Sequence, residues 1–167
     1  MKVNTLATAV LAAVLLGSLA SCGVVPSDPS GESFLTREEI EQEYDGTVKS
    51  YPYNLPDGVT FPADLYVVPN EDPNAQYESG WGAMQAYFFA ECAYERVALT
   101  NPVDDSAGTI AALDQIQLIH TLPIYQQHFD DSHGVWQGLM DKARLGDSTG
   151  LRGTYDSDCA SDWFQGK

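Results

Sequence analysis

A mainly α-helical domain of about four helices is the fold that this chain predicts, and three observations lead to it. Apolar and small residues recur at helical spacing over long stretches, above all from Glu78 to Leu99 and from Leu122 to Leu145. Helix-start signals stand where such stretches begin, as with Thr36 followed three residues later by Glu39. Between them, Pro52, Pro56, Pro62, Pro69 and Pro73 rule out a long helix from Asp45 to Gln76 and imply an extended segment wrapped over the helices.

The chain opens differently. Lys2 is the only charge before Cys22, and Leu6 to Leu16 is almost wholly apolar, the pattern of an export signal. That run is too short to span a bilayer, which takes about 20 predominantly apolar residues. It ends in Leu19, Ala20, Ser21 and Cys22, a Leu, two small residues and a Cys, and there the sequence resembles the lipobox of bacterial lipoproteins. The resemblance covers the first 22 residues and implies a role for Cys22 alone. Its thiol would take a diacylglyceryl group, and cleavage after Ser21 would make it the first residue of a membrane-anchored, extracytoplasmic protein. Acyl chains contribute about 0.8 kcal/mol per buried methylene, so a multiply acylated Cys22 holds a protein on a membrane without a spanning helix.

On this reading residues 1–21 are a signal peptide, 22–33 a flexible tether rich in Pro, Ser and Gly, and 34–167 one globular helical domain. The mature part keeps seven basic against 24 acidic residues, a net charge of −17. Such a surface repels phosphate backbones and excludes nucleic-acid binding; it suits a body held off a membrane, or a cationic partner. With Cys22 lipidated, Cys92 and Cys159 remain as a pair in an oxidising setting, where one disulfide is expected and two separate buried thiols are the alternative. Neither has a second Cys within metal-ligand spacing.

The elements follow in order. Thr36 and Glu39 form a capping box and Leu35 with Ile40 a hydrophobic staple, so a short acidic helix is expected over Arg37–Tyr44, with Glu38, Glu39, Glu41 and Glu43 as a solvated face. In the Pro-rich segment Pro56, Asp57 and Gly58 read as a turn, and Leu65–Val68 as a short strand. Tyr51, Tyr53, Phe61 and Tyr66 serve there as plugs, or as an aromatic recognition loop. Glu78–Leu99 is the central helix, with Ala83, Ala86, Tyr87, Ala90, Ala93, Tyr94, Val97 and Ala98 on one broad arc small enough for close approach. The opposite arc mixes Trp81, Met84, Phe88, Cys92 and Leu99 with Gln85, Glu91, Glu95 and Arg96, so the helix is expected to be covered on more than one side. Asp104, Asp105 or Ser106 caps a helix to His120, which falls on the Leu113 and Ile116 stripe as a hydrogen-bonded core residue. Leu122–Leu145, with Pro123 in its first turn, aims Tyr125, Phe129, Trp136, Met140 and Ala143 at the core. Gly146–Gly153 reads as a loop, and Thr154–Phe164 as a short turn or helix pinned by Cys159.

Three sets of residues carry candidate chemistry. Glu91 and Glu95 lie one turn apart beside Trp81 and Phe88, where an apolar setting divides two carboxyls into an acid and a base; Arg96 would otherwise neutralise a half-exposed pair. His128, Asp131 and His133, with Asp130, suggest a metal cluster, yet on a continuous helix a spacing of five sets the two histidines about 140° apart, so they converge only if the chain breaks near Gly134. Asp156, Ser157 and Asp158 open like a calcium loop but lack its Gly and distal Glu, and read better as a capping turn.

No nucleophile elbow, zinc-protease helix, phosphate-cradling loop or Cys-x-x-Cys is present, and no cofactor is implied. The expectation is a non-enzymatic envelope lipoprotein that binds an envelope protein or wall component. The alternatives are a small hydrolase using Glu91 and Glu95, and an exclusion or immunity lipoprotein.

Overall fold

The computed structural model describes residues 34–68, 70–101 and 105–165; the expected signal peptide, Cys22 and the expected tether lie outside them. Six helices carry the described fold: α1 (Arg37–Ser50), α2 (Trp81–Thr100), α3 (Ser106–His120), α4 (Pro123–His128), α5 (Val135–Arg144) and α6 (Thr149–Asp158). A two-residue antiparallel ladder, β1 (Phe34–Leu35) against β2 (Tyr77–Glu78), sets Phe34 opposite Glu78 and Leu35 opposite Tyr77. Among the described residues no helix is long and apolar enough to cross a membrane.

Helix α1 starts as expected, with the Thr36 hydroxyl accepting from the Glu39 N–H and the Glu39 carboxylate accepting from the Thr36 N–H at 2.7 Å. It runs six residues past Tyr44, carried by Thr47 and Ser50 hydroxyls that donate to carbonyls one turn back. Pro52 then pushes Tyr51 out of helical geometry, to φ −55° and ψ 122°. Glu43 is not part of a solvated face. Its carboxylate accepts the N–H groups of Gly80 and Gly82 at 2.9–3.2 Å and so caps α2 from a neighbouring helix.

That contact needs a glycine. A Cβ built on Gly82 falls 2.0 Å from the backbone oxygen of Ile40, so α1 and α2 cross closely only because position 82 has no side chain. Gly82→Ala is expected to cost about 2–3 kcal/mol by forcing the helices apart, read as a lower thermal midpoint with the far-UV spectrum retained. An unchanged midpoint would mean that the crossing is looser than described.

Helix α2 is central and covered on more than one side, as expected, and packs against α1, α3, α4 and α6. Ala86, Ala90, Ala93 and Ala98 are buried on it. One core cluster joins α2 to α3–α6 through Leu113, Ile116, Ile119, Tyr125, Met140 and Leu151, and a smaller one gathers Ile40, Tyr44, Leu65 and Ala86. Tyr51, Tyr53 and Phe61 pack against the larger cluster, while the hydroxyls of Tyr44 and Tyr94 donate to the carbonyls of Pro62 and Asn54. Leu65–Val68 forms no strand. There the Gln85 side-chain amide takes the place of a partner strand, accepting from the Tyr66 N–H at 2.9 Å and donating to its carbonyl.

The long helix expected over Leu122–Leu145 is two helices. Asp130 accepts from the Ser132 N–H in a local turn, and Gly134 takes a left-handed φ of 65°. Asp131 then accepts the N–H groups of Trp136 and Gln137 at 2.8 and 3.0 Å, so a fresh N-terminus begins at α5. The loop expected over Gly146–Gly153 is corrected too: α6 begins at Thr149, after the Asp147 carboxylate accepts from the Thr149 N–H. The Cys92–Cys159 disulfide is present and ties the middle of α2 to the residue that ends α6.

Candidate functional site

The tie between α2 and α6 is also the floor of a cleft. Three stretches surround it: Phe88, Glu91 and Glu95 from α2, the 129–131 connection with Val135, Trp136 and Leu139 of α5, and Thr154, Asp158 and Cys159 at the end of α6. Its volume is about 280 Å³. Phe88 and Phe129 also border a second, more apolar groove that runs past Trp81, Met84, Tyr125 and Phe164.

Glu91 and Glu95 both sit in this wall and are 3% and 2% exposed, far more buried than a half-exposed pair. They are held differently. The Glu91 carboxylate accepts a short hydrogen bond from the Tyr125 hydroxyl and lies 2.9 Å from Nε2 of His120. His120 is in turn fixed between aromatic rings, stacked at 7° on Trp136 with centroids 4.9 Å apart and 4.3 Å from Tyr125. Burial, with the Glu91 carboxylate next to it, pushes the Tyr125 phenol well above its ordinary range. Tyr125 is therefore a donor to Glu91 at every physiological pH.

Glu95 has no such support. Its Oε2 lies 3.3 Å from Sγ of Cys159, a disulfide sulfur that carries no proton and can only accept weakly. Arg96, the expected neutraliser, donates instead to the Gln165 carbonyl at 3.1 Å. Burial first, then the charges of Glu91 and Asp158, push the Glu95 carboxyl up to about 9. At neutral pH it is a neutral acid beside the hydrogen-bonded Glu91. This is the asymmetric environment that lets two carboxyls take different parts.

The other candidate sets do not assemble. His128 lies over Gly80 at the start of α2, His133 is exposed in the turn before α5, and Asp131 is occupied as the α5 cap, which also lowers its pKa. Among the described residues the one group within metal-ligating distance is Cys92, Glu95 and Cys159, and its sulfurs are bonded to each other rather than available as thiolates. Asp156, Ser157 and Asp158 lie on α6, so they form neither a calcium loop nor a capping turn.

The spacing of Glu91 and Glu95 marked the site, but Tyr125, Trp136 and Asp158 reach it from three other elements. His120, on the α3 core stripe, and Tyr125 and Trp136, at core-facing helical spacing, left a trace as core residues but not as partners of the pair. No family model, curated protein or solved structure matches this chain.

Proposed function

We propose that this chain is a lipid-anchored extracytoplasmic protein of the cell envelope that acts by binding a ligand in the α2–α5–α6 cleft. The anchor rests on Leu19, Ala20, Ser21 and Cys22; the disulfide fits an oxidising compartment. The observation that carries the binding reading is the cleft itself, which has aromatic and aliphatic walls and a few convergent polar groups, the usual make-up of a small-molecule site. Glu91 supports this use, because Tyr125 and His120 fix it as part of a rigid wall.

A second reading, a small hydrolase, is favoured by one observation: a carboxyl raised to about 9 stands near a hydrogen-bonded carboxylate in the same cleft. Glu95 would be the acid and Glu91 the base. Turnover of ester, peptide or glycoside substrates that disappears in Glu91→Gln would replace the binding reading with this one.

The anchor is tested by intact mass on protein from a membrane fraction. Wild type is expected to carry acyl mass and to partition with membranes, and Cys22→Ala to appear in the soluble fraction without that mass. Wild type that is unacylated and soluble would overturn the anchored reading.

A further inference from the structure

The cleft is more specific than a generic apolar pocket. Its polar groups are almost all of one sign, with the carboxyls of Glu91, Glu95, Asp130, Asp131 and Asp158 at its wall and no Lys, Arg or His among the residues that line it. Acidic side chains alone make no site; here a buried one lacks a counterpart. Glu95 is 2% exposed and borders the cleft, and among the described residues its one close polar contact is a sulfur without a proton. A second buried polar atom at the same wall, Nε1 of Trp136, is also without a partner. A ligand that brings an N–H donor and positive charge to Glu95 would satisfy the costlier of these two groups.

We propose that the cleft binds an organic ammonium ion, a protonated primary or secondary amine on a small apolar body, with Glu95 as the carboxylate that receives its N–H. The inference rests on the binding reading above and names its ligand class. Phe88, Phe129 and Trp136 supply aromatic surface for the body of the ligand and for cation–π contact. A bare divalent cation fits poorly, since calcium takes six to eight oxygens and Asp131 already spends both of its own on α5. An anion would meet five carboxyls. The chain's net charge of −16 raises the local concentration of cations.

Protons are linked to this binding. Below about pH 9 Glu95 must release its proton to receive a cation, so affinity climbs with pH toward that value. The other titratable groups around it are Glu91 on α2 itself, His120 from α3, Tyr125 from α4, Asp130 and Asp131 from the connection, and Asp158 from α6.

The test is a calorimetric titration of the full chain with three probes of similar shape: 2-phenylethylammonium, neutral 2-phenylethanol and anionic 3-phenylpropionate. The ammonium is expected to saturate at one site and to bind at least about tenfold tighter than the alcohol, the scale of one charge-assisted hydrogen bond. The propionate should not bind. Repeating the titration at pH 7 in buffers of different ionisation enthalpy should reveal one proton released, and the ammonium affinity should rise between pH 7 and 9. Glu95→Gln is expected to remove the preference for the ammonium over the alcohol and the proton release. Equal binding of ammonium and alcohol, an ammonium preference that survives in Glu95→Gln, or no saturation by any probe would each overturn the assignment. Acyl mass and membrane partition are read separately, so failure here is distinct from failure of the anchored reading.

Discussion

Reduction of the Cys92–Cys159 bond is expected to lower the free energy of unfolding by about 4 kcal/mol. The bond closes a loop with a sequence separation of 67, and the chain-entropy relation assigns a loop of that length about 4 kcal/mol through restriction of the unfolded chain. The closed stretch holds the second half of α2 and all of α3–α6. A domain of this size is typically stable by only about 5–15 kcal/mol, so the loss is a large share of the total. Both sulfurs are buried, with Cys92 and Cys159 each 1% exposed. Guanidinium unfolding with and without reductant, and of a Cys92→Ala, Cys159→Ala double variant, checks the figure. A difference under about 1 kcal/mol would mean that packing of α6, not the covalent tie, holds that end of the domain.

Glu95→Gln should do the opposite and stabilise the fold at neutral and alkaline pH. In the folded chain this carboxyl keeps its proton up to about pH 9, whereas in the unfolded chain it loses it near its ordinary value of 4.5. Between those values folding takes up a proton, so wild-type stability falls as pH rises through the window and levels off above it. Glutamine does not titrate. At pH 7, about 2.5 units above the ordinary value, the gain is about 3 kcal/mol at some 1.4 kcal/mol per unit. It should grow toward pH 9 and vanish near pH 4.5. Thermal unfolding of both proteins across pH 4–9 measures it; parallel curves would mean that Glu95 is ionised in the folded protein and that a donor faces it.

Much of this architecture was legible in the sequence because its signals are local. Thr36 with Glu39, Asp105 before α3 and Pro123 in the first turn of α4 each act on backbone within three residues, and each sits where its chemistry predicts. The break between α4 and α5 was hidden because Tyr125, Trp136, Met140 and Ala143 keep helical spacing across it and all become buried, so periodicity alone reads as one helix. The Asp131 side chain, reaching five and six residues ahead, ends that continuity together with the Asp130 turn and the left-handed Gly134. The first half of α6 was missed because Gly150 and Gly153 read as loop; Gly150 in fact lets α6 approach Leu139 of α5. For the site, one helix gave the Glu91 and Glu95 pair. Their different fates depend on Tyr125, His120 and Cys159, placed by tertiary packing that no spacing encodes.

The Cys92–Cys159 bond also decides what a protease can do to this molecule. The exposed connection around Ser132, His133 and Gly134, which lies inside the closed loop, is a natural place for a cut. A cut there leaves two polypeptides but still one molecule, because the disulfide bridges the nick. The pieces separate only on reduction, and α5 and α6 stay joined to the rest of the chain. A protease could therefore nick the chain at this connection without releasing the piece that carries α5 and α6.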